Sequence, residues 1–186
     1  MIVTDAVTGG VTVDGMDEQQ QDQEREWANN PRLDAWISEQ RAAFNAHFPP
    51  EADDWDFSIE SLDRLEAFMR HRFSSCEEIK AERGSGPVGA ATWYLGEVHV
   101  RTAGAQWQYG TEPDLAAPEY DQPYVTIPYE RIDEYPSADD DPAEDGRPLT
   151  VPGDELCALF LRGPDNHLRD TLTRYHGAPD TEDEAR

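Results

Sequence analysis

The sequence predicts an α+β protein in which a helix-rich single domain packs on a small antiparallel sheet and the termini are acidic and flexible. Three observations lead to this prediction. Apolar residues recur every three or four positions in several long segments, and two short segments have the composition of strands. Aromatic residues make up 10% of the 186 residues, and because their side chains bury large areas, a chain that is only 37% hydrophobic can still form a core.

Two amphipathic helices are predicted in the first half of the chain. The first runs from about 31 to 47, because Asn30 is a favourable N-cap and the proline that follows suits the first helical turn. The second is capped by Ser58 or Ser61 and runs to about Phe73. Each helix has one apolar face to place against a core.

A third and more apolar helix is predicted to begin at Pro87, after a short helix over 76 to 83. Apolar residues nearly surround this third helix, which predicts a position at the centre of the domain. Gly96 lies inside it, where glycine costs about 1 kcal/mol relative to alanine. We therefore expect a neighbouring group to pack against the backbone at this glycine.

The second half of the chain predicts a small sheet followed by short helices. Polar and aromatic residues alternate over 106 to 109, which is typical of a half-buried strand, and the segment from 123 to 128 is expected to pair with it. A turn of helix is predicted over 129 to 135. Further helices are predicted over 152 to 161 and 165 to 175.

The distribution of charge predicts the domain organisation. One folded domain is expected over 31 to 176, with an acidic loop at 137 to 147. A flexible acidic segment is expected before it, at 1 to 30, and a disordered acidic tail after it, at 177 to 186. These acidic segments, above all the stretch from 14 to 26, have too few apolar residues to offset the entropy of ordering the chain.

The net charge also excludes several classes of function. The chain has 40 acidic and 15 basic residues, for a net charge of −25. Such a polyanion does not neutralise phosphates, so direct binding to nucleic acid or to a membrane surface is not expected. The basic residues are arginine except for Lys80, and arginine-rich codon usage together with adaptation to a salty cytoplasm explains the composition equally well without a partner.

The cysteines and the N-terminus bear on location. Cys76 and Cys157 belong to no CxxC pair and are expected to be two buried thiols rather than a disulfide. The N-terminal residues lack the basic start and apolar stretch of a secretion signal, and no run of 18 apolar residues occurs. The sequence therefore predicts a cytoplasmic protein.

No motif for catalysis or cofactor binding is complete. Residues 84 to 89 match G-x-G-x-x-G, but a charged helical segment precedes them where a dinucleotide site needs a strand. Asp139 and Asp141 begin like a calcium loop that lacks its required glycine and glutamate. The five histidines form no zinc pair on one helix, and no nucleophile motif occurs. We therefore predict no enzyme activity, no metal and no cofactor.

Three short motifs lie between residues 56 and 109: Asp-Phe-Ser-x-Glu-Ser-Leu at 56 to 62, Tyr-x-Gly-Glu-Val at 94 to 98 and Gly-x-x-Trp-x-Tyr at 104 to 109. With these motifs, the segment resembles an uncharacterised family of small bacterial proteins. It implies two helices and a turn that leads to a strand, and it implies no activity. In size, acidity and architecture the chain is also similar in type to the immunity proteins of bacterial toxin systems.

The sequence predicts a non-enzymatic, acidic protein-binding module, such as an immunity or inhibitor protein that covers a basic partner, for example a toxin. Negative potential speeds the encounter with a cationic surface, and aromatic side chains supply much of the binding energy at interfaces. The expected contact residues are Tyr120, Tyr124, Tyr129, Asp133, Glu134, Tyr135, Asp139, Asp140 and Asp141.

The sequence leaves three alternatives open. A small-ligand binder or enzyme would use a pocket near Tyr94, Glu97, His99, Arg101 and Trp107. Glu97 and Arg101 are four apart on the central helix, which equally predicts an ion pair that anchors this helix. A DNA mimic would need carboxylates at regular spacing on ordered elements. A housekeeping domain that is acidic only through solvent adaptation would need no partner.

Overall fold

The computed structural model describes residues 13–48, 55–84, 86–136 and 145–176, and it confirms the α+β fold with a small antiparallel sheet. In chain order the α-helices are α1 (Val13–Ala28), α2 (Pro31–His47), α3 (Ser61–Arg72), α4 (Cys76–Ala81), α5 (Gly86–Ala103) and α6 (Pro152–Leu161). The strands are β1 (Gln106–Gln108), β2 (Tyr124–Thr126) and β3 (Leu149–Thr150). Two 3-10 helices span Tyr129–Glu134 and Leu168–Tyr175.

The start of α2 forms as its cap predicts. The side chain of Asn30 accepts hydrogen bonds from the backbone N–H groups of Arg32 and Leu33, at 3.1 and 3.0 Å. These bonds satisfy two of the donors that the first helical turn leaves without a partner. The amide of Asn30 also donates to the carbonyl oxygen of Tyr109, so the same residue fixes the helix against the chain that leaves β1.

Helix α5 is the centre of the fold, as its apolar surroundings predict. Every residue from 87 to 99 is buried, and α5 packs against α2, α6 and the sheet. The expectation at Gly96 is confirmed, because a Cβ atom at that position would overlap the indole ring of Trp107. The glycine therefore lets β1 lie directly on the central helix.

The sheet has the order β1-β2-β3, and both pairings are antiparallel. Trp107 lies opposite Val125, so the two predicted strands pair despite the long connection between them. The third strand was not predicted, since two residues at the end of an acidic stretch give no periodic signal. The prediction of a half-buried β1 is wrong at Gln108, which is fully buried because α1 covers this part of the sheet.

The prediction that residues 14 to 26 are loosely held is wrong, because they form most of α1. Glutamine and glutamate are good helix formers, and tertiary contacts supply the rest of the stability. Glu24 pairs with Arg147, and the ring of Trp27 meets the ring of Tyr124 edge-on at 6.4 Å. The predicted tail at 177–186 and the residues 137–144 of the predicted loop lie outside the described residues.

The prediction of two separate thiols is also wrong. Cys76 at the start of α4 and Cys157 in α6 form a disulfide, with their Cα atoms 4.6 Å apart. Disulfides are uncommon in reducing compartments, so this bond weighs against the predicted cytoplasmic location. Within the described ranges, no helix is both long enough and apolar enough to cross a membrane.

Candidate functional site

The five residues of the predicted pocket do not converge on one cavity. They lie on α5 and β1, but Tyr94 is fully buried, the Glu97 carboxylate faces Trp107, and His99 faces the second 3-10 helix. Arg101 lines a sizeable cleft, and the other four residues are not among its lining residues. The five residues therefore do not surround one pocket, and the alternative of a ligand binder or enzyme stays a prediction.

Glu97 is an anchoring residue, as expected if it forms an ion pair with Arg101 that anchors the central helix. Its Oε1 accepts a hydrogen bond of 3.1 Å from the indole Nε1–H of Trp107, and its Oε2 lies 3.4 Å from the guanidinium of Arg101. The rings of Trp36 and Trp107 also pack edge to face, with their centroids 5.1 Å apart. The carboxylate thus holds the indole over Gly96 rather than facing a ligand.

His99 is a satisfied core histidine. It is fully buried, its Nδ1–H donates to the carbonyl oxygen of Leu95 at 2.8 Å, and the hydroxyl of Thr171 lies 3.0 Å from its Nε2. Burial lowers the pKa of His99 to about 4, because the charged imidazolium is poorly solvated there. A neutral ring with both nitrogens occupied has no free atom for acid–base chemistry.

The structure reveals a cleft between α2, α5 and the chain that precedes α3. Its volume is about 450 Å³, which is within the usual range for small-molecule sites. Two arginines, Arg41 of α2 and Arg101 of α5, lie at the cleft together with the amide of Asn45. Its remaining walls are aromatic: they are Phe44, Phe48, Trp55, Phe57 and Trp93. We call this feature the aromatic cleft.

Phe57 has an unusual backbone conformation at the edge of the aromatic cleft. Its φ is +61°, and it is the one residue other than glycine with a positive φ in the described part of the chain. A bulky side chain adopts this conformation only where the surroundings enforce it. The backbone N–H of Phe57 donates to the hydroxyl oxygen of Tyr94 at 3.0 Å, and that hydroxyl donates to Ser61 at 2.8 Å.

Ring contacts complete the restraint on Phe57. Its ring stacks with that of Tyr94, with centroids 4.7 Å apart, and the guanidinium of Arg101 lies 3.5 Å from the Phe57 ring centroid. Burial raises the pKa of Tyr94, so its hydroxyl remains a neutral hydrogen-bonding group. Tyr94 is therefore a supporting residue beneath the cleft, not a residue that faces a ligand.

A second feature is the loop from 111 to 121, which joins β1 to β2. Arg32 closes the base of this loop, since it donates to the carbonyl oxygens of Gly110 and Glu112 and to the carboxylate of Asp121, at 2.9, 3.0 and 2.6 Å. Arg83 donates to the carbonyl oxygen of Glu119 near the far end, at 3.0 Å. We call this feature the anchored loop.

The anchored loop exposes apolar side chains in acidic surroundings. Leu115 is 87% exposed and Tyr120 is 74% exposed, which makes them the most exposed large hydrophobic residues among those described. Four carboxylates and no basic residue lie in this segment of the sequence. Compact loops whose ends meet are frequently binding elements.

The predicted partner-binding tyrosines occupy different environments. Tyr120 is exposed on the anchored loop. Tyr124 lies in β2 and is half-buried, and burial raises its pKa to about 12. Tyr129 is half-buried at the start of its 3-10 helix. The prediction of Tyr135 as a contact residue is wrong, because Tyr135 is buried and its hydroxyl donates to the carbonyl oxygen of Tyr175.

The predicted acidic contacts are also distributed. Asp133 and Glu134 are exposed on the first 3-10 helix, and the carboxylate of Glu134 pairs with Arg131 at 2.7 Å. Asp139, Asp140 and Asp141 lie outside the described residues. Thus Tyr120 and Asp133 are the predicted contacts that combine exposure with no ion pair of their own in the described part.

Sequence reasoning missed the residues that define both features. Arg41 shares a helix face with Phe44 and Phe48, so helical spacing could have joined it to the aromatic residues. Leu115 is an isolated apolar residue among acids and could have been recognised as exposed. No pattern in the sequence indicates the role of Arg32, because its partners are far away along the chain. Glu112, for example, lies 80 positions later.

Neither a metal centre nor a relative identifies the protein. The described ranges contain no group of three or more histidine, cysteine or acidic side chains that could hold a metal ion. Comparison with models of known protein families, with curated proteins and with solved structures finds no match to the chain. The fold and these sites define an acidic α+β domain that carries the aromatic cleft and the anchored loop.

Proposed function

We propose that this protein is a non-enzymatic binding module that covers a basic surface of a partner protein, in the manner of an immunity or inhibitor protein. The observation that supports this function best is the anchored loop. It presents Leu115 and Tyr120 to solvent among carboxylates, and Arg32 holds its two ends together. The same loop contains Tyr120, which the sequence already indicated as a contact.

The loop has the composition of a protein interface. Interfaces are built from apolar or aromatic anchors at the centre and a polar rim, and a few anchors contribute most of the binding energy. Leu115 and Tyr120 are the anchors, and the rim consists of the exposed acids Glu112, Asp114 and Glu119. These carboxylates match a partner surface that is rich in lysine and arginine.

The closure by Arg32 reduces the cost of binding. A loop that is ordered before it meets its partner loses less conformational entropy on association. The net charge of −25 adds electrostatic steering, which raises the association rate with a cationic partner and makes this rate fall with salt. An inhibitor that blocks a positively charged active site needs no catalytic group of its own.

The proposal is tested by photo-cross-linking in extract of the cells that produce the protein. A photoreactive amino acid replaces Tyr120 in one variant and Leu161 in a control, since Leu161 is also exposed but lies at the end of α6. We expect the Tyr120 position to capture a discrete basic protein, with a yield that falls between about 50 mM and about 300 mM salt. Equal capture from both positions, or capture of acidic proteins, would contradict the proposal.

A matched variant separates the anchors from general charge attraction. In Leu115→Ser with Tyr120→Ser, the net charge is unchanged, so loss of capture at a second cross-linking position in the loop, Glu119, would come from the anchors alone. Retention of full capture at Glu119 by the double variant would mean that Leu115 and Tyr120 are not the anchors and would contradict the proposal.

A further inference from the structure

The aromatic cleft lies at a different part of α2 from the anchored loop and has its own chemistry. Arg32 at the start of α2 holds the loop, whereas Arg41 and Phe44 in its second half line the cleft. At 1.5 Å per residue, the nine positions from Arg32 to Arg41 span about 14 Å along the helix axis. The cleft is therefore not part of the surface assigned above to a protein partner.

The walls of the aromatic cleft favour a flat, apolar ligand. Trp55 and Phe57 are half-buried, so parts of their rings remain accessible, and the better-buried ring of Trp93 forms a further wall. Aromatic rings prefer edge-to-face or offset contacts with other rings, and such contacts are stabilising beyond the area they bury. A planar ring system is the shape that several converging aromatic walls accommodate best.

The charge at the cleft selects an anion. Aromatic walls alone would also suit an organic cation, because ring faces attract positive charge. Here two guanidinium groups, of Arg41 and Arg101, line the cleft, and its described lining residues include no carboxylate. A cation would be repelled by both arginines, whereas a carboxylate would meet two partners that bind carboxylates with good geometry.

The hydrogen bonds among the described residues leave donors of both arginines unused. A guanidinium carries five N–H donors. Arg101 makes one contact of 3.4 Å with Glu97 and stacks on Phe57, and Arg41 lies 5.7 Å from the Trp93 ring centroid, with no carboxylate of the described part within ion-pair distance. In a chain with 40 acidic and 15 basic residues, arginines with free donors at an aromatic cleft are available to a ligand.

We propose that the aromatic cleft binds a small planar aromatic carboxylate. The ring lies among Trp55, Phe57 and Trp93, and the carboxylate pairs with Arg41 and Arg101. The positive φ of Phe57, enforced by its hydrogen bond to Tyr94, holds the Phe57 ring in position beneath the guanidinium of Arg101. This binding function is separate from the proposed docking to a protein partner.

The test is calorimetric titration of the full chain with three probes that share one ring. They are 2-naphthoate, the neutral 2-naphthylmethanol and the cationic 2-naphthylmethylammonium. We expect 2-naphthoate to bind at concentrations below about 10 mM, the alcohol to bind about tenfold more weakly, and the cation to show no binding. Equal affinity for the acid and the alcohol, preference for the cation, or no heat from any probe would overturn the proposal.

Matched variants assign the binding to the cleft. Arg41→Gln and Arg101→Gln should each weaken 2-naphthoate binding by about tenfold and reduce the preference for the acid over the alcohol. Arg72→Gln removes one exposed arginine of α3 that does not line the cleft and should leave the affinity unchanged. Equal effects of Arg72→Gln and Arg41→Gln would show general charge attraction and would overturn the assignment.

The outcome is independent of the proposed protein-binding function. Substitution of Leu115 and Tyr120 in the anchored loop should not change the 2-naphthoate affinity, since neither residue lines the cleft. Conversely, cross-linking at Tyr120 should not require Arg41. Loss of probe binding in the variant with both loop substitutions would show that the two sites are not independent. It would also contradict the assignment of the probe to the aromatic cleft.

Discussion

Two regions of the molecule use their arginines differently. Arg147 joins α1 to the sheet, whereas Arg41 and Arg101 line the aromatic cleft, and the protein uses a different share of their hydrogen-bond donors in each region. The side chain of Arg147 is 2% exposed, and all five of its N–H donors are engaged, by Glu24, by Asp145 and by the carbonyl oxygen of Ile127. Among the described residues, Arg101 makes one hydrogen bond, of 3.4 Å to Glu97, and stacks on the Phe57 ring, whereas the guanidinium of Arg41 has a ring contact with Trp93.

This difference separates support from function. Acids greatly outnumber bases in the chain, so most arginines of the described part find carboxylates and serve to hold segments together. An arginine with unused donors next to an accessible aromatic surface is the exception, and such a group remains available for binding. We call a polar side chain saturated when the protein itself uses all of its hydrogen-bonding capacity, and unsaturated when it does not. The comparison predicts that saturated side chains control stability and that unsaturated ones control ligand affinity.

Replacement of the saturated arginine should have the largest effect. Arg147→Met should lower the free energy of unfolding by about 3 to 5 kcal/mol, because it leaves the carboxylates of Glu24 and Asp145 without their buried partner. Urea denaturation measures this change. The matched control Arg72→Gln should stay within about 0.5 kcal/mol of the wild type. Equal stability of the two variants would contradict the prediction that the fully hydrogen-bonded Arg147 stabilises the fold.

A saturated histidine should make stability depend on pH. His99 has a pKa of about 4 in the folded protein and an ordinary value near 6.5 when unfolded, so only the unfolded state binds its proton between these values. Its contribution is complete above pH 6.5 and is lost as the pH falls towards 4. Between pH 7 and pH 5 the loss amounts to about 2 kcal/mol.

The measurement is denaturant unfolding of the wild type and of His99→Asn at both pH values. Subtraction of the two pH profiles removes the titration of the many carboxylates, which both proteins share. We expect the wild type to lose more stability than His99→Asn on acidification. Parallel profiles would mean that His99 is not buried in the neutral form.

The arginine of the anchored loop should give an intermediate effect. Arg32→Gln should lower the free energy of unfolding by about 1.5 kcal/mol, because it removes charged hydrogen bonds to Asp121 and to two carbonyl oxygens. The loss is moderate because the site is partly open to solvent. Hydrogen exchange should become faster in the segment from 110 to 121 than elsewhere. Uniform exchange throughout the protein would show that Arg32 does not hold this loop.

The unsaturated arginine should give the smallest effect on stability. Arg41→Gln should change the free energy of unfolding by less than about 0.5 kcal/mol, because Arg41 is exposed and its guanidinium has one ring contact, with Trp93, among the described residues. Thermal and urea unfolding measure this change. A loss comparable to that of Arg147→Met would mean that Arg41 supports the fold and is not reserved for a ligand.

The features that the sequence predicted depend on neighbouring positions. Asn30 caps the helix that begins at the next residue, and Gly96 meets Trp107 only eleven positions later in the chain. Helical spacing and capping operate within such distances, which is why α2 and α5 could be predicted.

The features that it did not predict depend on distant pairs. Glu24 and Arg147 are 123 positions apart, so nothing local to α1 indicated that it would be held in place. Cys76 and Cys157 are separated by 81 positions, and their pairing follows only from the packing of α4 on α6. The aromatic cleft likewise combines two helices and an intervening segment, so Arg101 was indicated by its helix while Arg41 was not.

The most direct test of the account measures stability and 2-naphthoate affinity on the same two variants. Arg147→Met should lose several kcal/mol of unfolding free energy and, under conditions where it is folded, retain the affinity of the wild type. Arg41→Gln should retain its stability and lose about tenfold in affinity. If both variants instead lose stability and affinity together, the distinction between saturated and available arginines is contradicted.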